Sequence, residues 1–436
     1  MLSKEHNKDK EKTTPTVSRI LSDGSLVELI YSQEEKKTLL LIGKDDTRIS
    51  MERFKLASGE VLTPVAAGHG LIKHQVVLLP SEATDYGSTD ELVAEIKAYV
   101  CRYVTLSETF TEVAAYYTLL SWVYDAFNEV PYLRWKGDYG SGKTRALTVI
   151  GSIAYLPIFA SGASTVSPIF HTLDLFRGTL VFDEADFRFS DERAELTKIF
   201  NNGTTRGFPV LRASMSDKDF DPRAFSVYGP KLIGMREVFQ DYALESRFLT
   251  EEMVGHAGPG VPINLPASQK TEALLLRNKL LLFRFRERHR VKIDGSLVDA
   301  KLSARANQIL VPLLSLISDV DIRERIKRLA QAQEEELTRD RSTQVEALVL
   351  EAIVDIIERA PDTTHVPLSA IRHAVIHRHA AEFDRPLTSR YLGGLIRNRL
   401  RLKSFKSSVY MVEMPHPVVL RDLCAKYGVR FDQISQ

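Results

Sequence analysis

The stretch GDYGSGKTRALTVIG, residues 137–151, decides how the rest of the chain is interpreted. It follows the apolar run PYLRW, so the sequence predicts a strand, a glycine-rich turn and the start of a helix. Its first eight residues match G-x-x-x-x-G-K-[ST], in which small residues allow backbone N–H groups to surround phosphates. A β-carbon at the glycines would obstruct both the turn and the phosphate. The predicted nucleotide-binding residues are Gly137, Gly140, Ser141, Gly142, Lys143 and Thr144.

The last two residues of this motif predict the ligand, ATP with Mg²⁺. We expect Lys143 to reach the β- and γ-phosphates and the Thr144 hydroxyl to bind Mg²⁺. The following helix would direct its positive N-terminal end at the phosphates. The alternative is a flexible glycine loop with no ligand.

A second motif, TLVFDEAD at 179–186, supplies two acidic residues at the end of an apolar strand. Asp183 is predicted to bind the metal, and Glu184 is the candidate base that orients the attacking water. An acidic turn with no catalytic role is the alternative.

The composition predicts a soluble, globular, cytoplasmic protein. The chain has 436 residues, 44% hydrophobic and 26% charged, with a net charge of +1. Two cysteines, Cys101 and Cys424, exclude a disulfide framework. We expect neither a signal peptide nor a membrane partner. Any attraction to nucleic acid must come from a local basic face.

The pattern along the chain predicts an α/β fold with several parts. Strands and helices alternate around the glycine-rich motif, which predicts a mostly parallel sheet covered on both faces. The predicted divisions are a disordered tail at 1–17, a small β-rich domain at 18–84, a P-loop core at 85–265, a helical lid and connector at 266–340, and a C-terminal domain at 341–436.

From about residue 85 to 415, the order of parts resembles AAA+ ATPases, in particular the branch with minichromosome-maintenance helicases and the helicase-like ATPases of phages and mobile elements. After the acidic strand, that branch has a helix, a β-hairpin and a strand with a polar sensor. The matching stretches are DERAELTKIFNNG, PVLRASMSDKDFDPRAFSVYG and PKLIGMRE. The family has Asn or Thr as the sensor, whereas this chain offers Arg236.

The resemblance also implies arginines that act between subunits. ALESRFL is similar to the segment that carries the arginine finger, so Arg247 would reach the γ-phosphate bound by a neighbouring subunit. The alternative is an ion pair with Glu245 or Glu251. Arg305 in the lid is the candidate second sensor, or an ordinary exposed arginine. An arginine acting on a neighbour implies a head-to-tail ring, and we expect a hexamer.

In this branch the hairpin points into the ring channel and holds DNA with a basic residue. Lys218 is the candidate here, with Arg212 and Arg223 on the arms as helpers. Because Asp217 and Asp219 flank Lys218, an ordinary acidic turn is the alternative.

Residues 343–414 suggest three helices and a hairpin, which resembles a winged helix. Between Arg385 and Tyr410 there are seven basic residues and no acidic one, a pattern that favours DNA phosphate contacts over a merely solvated face. The predicted DNA-binding residues of this cluster are Arg390, Arg397, Arg399, Arg401, Lys403 and Lys406.

These expectations combine into a ring-forming ATPase that moves on or unwinds DNA during replication of a phage or mobile element. The main alternative is an AAA+ switch whose ATP state controls assembly on DNA: an initiator, a loader or a transposition regulator. A P-loop kinase for a small molecule is a third possibility, which the winged helix and the intersubunit arginine disfavour.

Overall fold

The structure, a computed structural model, describes residues 13–185, 190–213, 222–239, 241–255, 258, 260–379 and 387–431. The chain divides into two compact units, and the boundary falls after Gln331. In the first unit one continuous hydrophobic cluster extends from Val17 to Ala330. The domain boundaries that the sequence predicts inside this unit stay predictions.

The first unit begins with strands β1 to β7, which form two small sheets. The four-stranded antiparallel sheet has the order β2-β3-β4-β5, and the three-stranded sheet has the order β1-β7-β6. Strand β3 is buried over five consecutive residues instead of alternately, because other elements cover both of its faces. The bounds are β1 Thr13–Thr16, β2 Ser18–Ile20, β3 Leu26–Ser32, β4 Lys37–Lys44, β5 Thr47–Met51, β6 Phe54–Lys55 and β7 Val61–Pro64.

A five-stranded parallel sheet is the centre of the first unit, and it confirms the predicted α/β class. Its order is β14-β8-β13-β10-β9, and every neighbouring pair in it is parallel. The carboxyl ends of the strands therefore lie along one edge, where the turns after β8 and β10 carry the predicted site residues. The strands are β8 Tyr132–Lys136, β9 Ile158–Ser161, β10 Leu180–Asp183, β13 Lys231–Met235 and β14 Phe248–Glu252.

Helices pack around this sheet, and a short antiparallel pair, β11 with β12, lies where the hairpin was predicted. Helix α3 is buried from Phe110 to Val123, and ten of the fifteen residues in its stretch TFTEVAAYYTLLSWV are apolar. No helix in the described part of the chain is long and apolar enough to cross a membrane. The bounds are α1 Gly70–Lys73, α2 Thr89–Tyr103, α3 Glu108–Val123, α4 Lys143–Gly151, α5 Val166–Phe176, α6 Ser190–Asn202, β11 Val210–Arg212, β12 Arg223–Phe225, α7 Tyr242–Glu245, α8 Ser268–Glu287 and α9 Ala304–Leu314. Helix α10, Val320–Ser342, begins in the first unit and continues past the boundary after Gln331.

A buried ionic cluster joins the N-terminal sheet, the end of α3 and helix α8. The Arg284 guanidinium donates to Glu28 Oε1 at 2.7 Å and to both carboxylate oxygens of Asp125 at 2.9 Å. Only 1% of the Arg284 side chain and 2% of the Glu28 side chain are exposed. Burial alone would raise the pKa of Asp125, but Arg284 and Arg288 outweigh it and hold that pKa below its usual value.

The second unit has its own hydrophobic core and a three-stranded antiparallel sheet in the order β15-β17-β16. Helix α13 buries Leu392, Leu395 and Ile396 and leaves Arg390 and Arg397 exposed. A short strand precedes the second helix, and a further helix follows the hairpin; neither was predicted. The bounds are α11 Val345–Arg359, β15 His365–Pro367, α12 Leu368–His379, α13 Ser389–Asn398, β16 Ser404–Lys406, β17 Tyr410–Glu413 and α14 Pro417–Tyr427.

We predict that Arg284→Met lowers the free energy of unfolding by about 3–5 kcal/mol, because it leaves the Glu28 carboxylate buried without a counter-charge. Adding Glu28→Gln should recover part of the loss, since the uncompensated charge is then gone. Urea denaturation of the two variants measures this. A double variant as unstable as the sum of its single changes would contradict the coupling.

Candidate nucleotide-binding site and basic face

The turn between β8 and α4 has a backbone that favours glycine. Gly140 and Gly142 have φ angles of 75° and 99°, in the left-handed region, and Gly142 caps helix α4. A β-carbon on Gly137 would lie 2.4 Å from the Met253 carbonyl oxygen. The turn is therefore packed beneath the segment that follows β14, and side chains at these positions would distort it.

Lys143, the first residue of α4, extends back across the turn. Its Nζ donates to the carbonyl oxygens of Gly137 and Asp138, both at 2.7 Å, and lies 3.4 Å from the Ser141 hydroxyl. The ammonium group thus lies over the loop whose glycines bring backbone close to a bound anion. A phosphate there would compete with neutral carbonyls for this charge, and charge-assisted hydrogen bonds are the stronger ones.

Thr144 and Asp183 come from different elements and meet at the carboxyl edge of the sheet. The Thr144 hydroxyl donates to Asp183 Oδ2 at 2.6 Å. The register of β8, β13 and β10 brings the two side chains together, because all three parallel strands end at the same edge. A hydroxyl and a carboxylate side by side are oxygen donors of the kind that Mg²⁺ accepts.

Glu184 is exposed beside this pair and has an unusual backbone conformation. Its φ is 56°, in the left-handed region, and its N–H donates to Asp183 Oδ1 at 2.9 Å. A β-carbon on Gly162 would lie 2.5 Å from the Glu184 carbonyl oxygen, so the neighbouring chain packs closely against this turn. Left-handed backbone at a non-glycine residue costs about 1–2 kcal/mol, which the surrounding contacts must offset.

Arg236 directly follows β13, the strand between the P-loop strand and the acidic strand. The register pairs Met235 with Lys136, and the Ala185 N–H donates to the Gly234 carbonyl oxygen at 3.1 Å. The exposed Arg236 is therefore at the same edge as the P-loop and Glu184.

Arg247 is buried, and the alternative ion pair with Glu245 or Glu251 is wrong. Its guanidinium donates to Thr204, to Asn201 and to the Ala243 carbonyl oxygen. Glu245 instead pairs with Arg134 at 2.7 Å, and Glu251 accepts from Ser107. Burial lowers the pKa of Arg247, and the nearby charge of Arg305 lowers it further.

Arg305 is exposed, and its positive charge contributes to the lowered pKa of Arg247. Its role as the second sensor stays a prediction. The Tyr132 N–H donates to the Arg247 carbonyl oxygen at 2.9 Å, so Arg247 is at the amino end of β8. The P-loop follows the other end of this five-residue strand. At about 3.3 Å per residue, the two ends are about 16 Å apart.

The hairpin is present as the pair β11–β12, with Arg212 opposite Arg223. Arg212 lies 3.6 Å from Glu195 and stacks over the Phe170 ring at 5.0 Å. Part of its charge is thus neutralised within the chain. Lys218, at the predicted tip, lies outside the described residues.

The second unit exposes every residue of the predicted basic cluster that the structure describes. Two of these residues have acidic neighbours: Arg399 is 4.0 Å from Glu346, and Lys403 is 3.9 Å from Glu413. Both distances are at the limit of an ion pair, so the positive face is only weakly compensated. The exposed residues are Arg390, Arg397, Arg399, Arg401, Lys403 and Lys406.

Sequence reasoning missed one basic residue of this unit, Lys426 on α14. Burial lowers the pKa of Lys426, and the like charges of Arg341 and Arg401 lower it further. Arg399, Arg401 and Lys426 line a groove of about 580 Å³, together with the acidic Asp422. Lys426 is far along the sequence from the cluster, and no motif marks it, so only the fold brings it there.

No protein-family model matches the chain, and no curated protein matches its sequence. Solved structures align with it at low identity. The apo A form of the NrS-1 C-terminal region (305–718) covers 89% of this chain and 96% of its own, at 9% identity and a TM-score of 0.38.

Two further alignments are weaker. JCV helicase covers 57% of this chain and 62% of its own, at 16% identity and a TM-score of 0.24. The Aeropyrum pernix ORC1 protein in complex with DNA covers 77% of this chain and 96% of its own, at 12% identity and a TM-score of 0.22. TM-scores below 0.5 do not establish a common fold, so the assignment of function depends on this chain's own residues.

We predict that Glu184→Gly raises the thermal unfolding midpoint relative to Glu184→Ala. Both changes remove the carboxylate, but only glycine adopts a φ of 56° without strain. The expected difference in the free energy of unfolding between the two variants is about 0.5–1 kcal/mol. Calorimetry of the two variants measures it, and an Ala variant as stable as the Gly variant would contradict the strained backbone.

Proposed function

We propose that the chain is an AAA+ ATPase that assembles head to tail into a ring, most simply a hexamer, and uses ATP hydrolysis to move on or unwind DNA. The observation that carries the ATPase part is the 2.6 Å hydrogen bond between Thr144 and Asp183. It joins a glycine turn suited to phosphates with an acidic strand end suited to a metal. Replication of a phage or mobile element is the process that the resemblance suggests.

Each residue of the site has a distinct role in this proposal. Lys143 binds the β- and γ-phosphates after leaving the carbonyl oxygens of Gly137 and Asp138. Thr144 and Asp183 hold Mg²⁺, which neutralises phosphate charge when bound. Glu184 accepts the proton of the attacking water, and Arg236 is positioned to sense the γ-phosphate from the central strand.

Two features support assembly through the P-loop face. Arg247 is at the sheet edge away from its own P-loop, with Arg305 near enough to affect its pKa, so these arginines would serve a neighbour's phosphates. To do so, the Arg247 guanidinium would leave its acceptors within the chain. Three apolar side chains near the turn are strongly exposed: Tyr139 at 94%, Ile263 at 89% and Val254 at 81%. Arg145 of helix α4 donates to the Ile263 carbonyl oxygen, which ties that segment to the site. A partner subunit would bury these side chains.

The second unit is proposed as a winged helix that binds DNA. Helix α13 has an apolar face toward the core and arginines on the opposite face, and the β16–β17 hairpin follows as a wing. The exposed basic residues and Lys426 would contact phosphates, which fixes position without reading sequence.

A non-translocating switch is the second candidate, and the hairpin favours it over a motor. Arg212 pairs with Glu195, and acidic residues flank Lys218 in the sequence. Both features weaken the attraction of the hairpin to DNA phosphates, on which translocation would depend. ATP-dependent strand separation on a forked duplex distinguishes the two. Unwinding by the wild type, and not by Glu184→Gln, supports the motor; an active ATPase that separates no fork supports the switch.

We predict that Lys143→Ala loses ATP binding, whereas Arg247→Ala binds ATP and loses hydrolysis by a factor on the order of 10³ or more. Mixed oligomers of the two variants should regain activity, because an intact site then meets an intact arginine across an interface. Steady-state phosphate release across mixing ratios measures this. Mixed oligomers that stay inactive would mean that Arg247 acts within its own chain.

We predict that Arg390→Ala with Arg397→Ala weakens DNA binding and lowers the log–log salt slope by about 1.8, or about 0.9 for each lost phosphate contact. Arg359→Ala, another exposed arginine of the same unit, is the matched control. Fluorescence anisotropy at several salt concentrations gives the slopes. Equal slopes for the double variant and the wild type would show that Arg390 and Arg397 do not contact DNA phosphates.

A further inference from the structure

A cavity of about 600 Å³ lies in the first unit between the N-terminal sheet, helix α4 and helix α8. Tyr31 and the loop before Leu79 form one side, and Phe159 of β9 forms another. Thr148 and Ser152 of α4 line the cavity, as do side chains of α8 from Gln269 to Arg277. None of the described residues that line it belongs to the turn at 137–142, so it is separate from the nucleotide site proposed above.

The cavity is positively charged. Lys36, Lys73, Lys270 and Arg277 line it, and no carboxylate does so among the described residues. The three lysines are exposed at the rim, and none of them forms an ion pair with a residue that the structure describes. A cluster of uncompensated cations around a concave surface attracts an anion.

Arg277 forms the polar floor. Its side chain is buried, and its guanidinium donates to the carbonyl oxygens of Ser152 at 2.5 Å and Leu79 at 3.4 Å. Burial lowers the pKa of Arg277 to about 10. A buried guanidinium that has only neutral partners in the described chain is costly, and an anionic ligand would offset that cost.

The remaining walls are apolar. Tyr31 and Phe159 contribute rings, and Ile72, Val77 and Leu79 contribute aliphatic surface. A planar, weakly polar group packs well against such a wall, and a cavity of this volume is in the range of small-molecule sites. The ligand that the cavity fits thus has an anionic end and a planar apolar end.

We propose that this cavity binds a nucleotide, with its phosphates on Arg277 and the rim lysines and its base against the apolar wall. The site is additional to the P-loop. Thr148, which lines the cavity, donates its hydroxyl to the Thr144 carbonyl oxygen at 2.8 Å, so the two sites contact neighbouring turns of the same helix.

The test is isothermal titration calorimetry of the full chain with ADP. We expect two ADP sites per chain in the wild type and one in Lys143→Ala, which retains the cavity. In the Lys143→Ala background, Lys73→Glu with Lys270→Glu should weaken the remaining site by a factor on the order of 10 or more, because two charge-assisted contacts become repulsive. Lys292→Glu with Lys301→Glu, two exposed lysines elsewhere in the same unit, should leave it unchanged.

Three results would overturn the proposal: no ADP binding to Lys143→Ala, equal affinity in the rim and control variants, or adenosine binding as tightly as ADP. The proposed ATPase site fails differently. If Lys143→Ala keeps both ADP sites, the P-loop assignment is wrong, and loss of one site in the rim variant still supports the cavity.

Discussion

The buried ion cluster around Arg284 is the constraint on which the first unit depends. A guanidinium with almost no solvent exposure is stable only if carboxylates pair with it inside the fold. Here the carboxylates belong to Glu28 in the N-terminal sheet and Asp125 after α3. Tyr155 adds a hydrogen bond to Glu28 at 2.7 Å, and its ring lies beneath the guanidinium. Segments more than 250 residues apart in sequence must therefore fold together, as the single hydrophobic cluster from Val17 to Ala330 also indicates.

This shared core positions the candidate site. Helix α3 fills the space beside the parallel sheet, and the Tyr117 hydroxyl donates to the Pro131 carbonyl oxygen just before β8. With β8 fixed, its register against β13 and β10 determines that Thr144 reaches Asp183. The arrangement of side chains at the carboxyl edge thus depends on packing at the amino edge, where the Arg247 guanidinium donates to Thr204.

Local patterns in the sequence were sufficient for the parallel sheet, the P-loop turn and the acidic strand end. Each of these depends on a few adjacent residues whose backbone requirements are strict, as at Gly142. The same reasoning could not identify the partners of Arg247, because Asn201 and Thr204 come from other parts of the chain. It also missed Lys426, which only the fold brings to the basic face. It also did not predict that Arg284 is buried, because the segment LLLFRFRE has the pattern of an ordinary amphipathic helix with exposed arginines. Only the fold shows that Glu28 and Asp125 lie beside this side chain.

Helix α4 ends at Gly151, and this residue has a mechanical consequence for the whole site. A β-carbon there would lie 2.9 Å from Val181 and 3.2 Å from Phe159, so the end of the helix rests directly on two strands of the sheet. Such an end has no room to slide or tilt, because packed interiors deform little. The C-terminal end of the helix is therefore held in place against the sheet, and a displacement of the glycine-rich turn would be taken up by the loops at the N-terminal end.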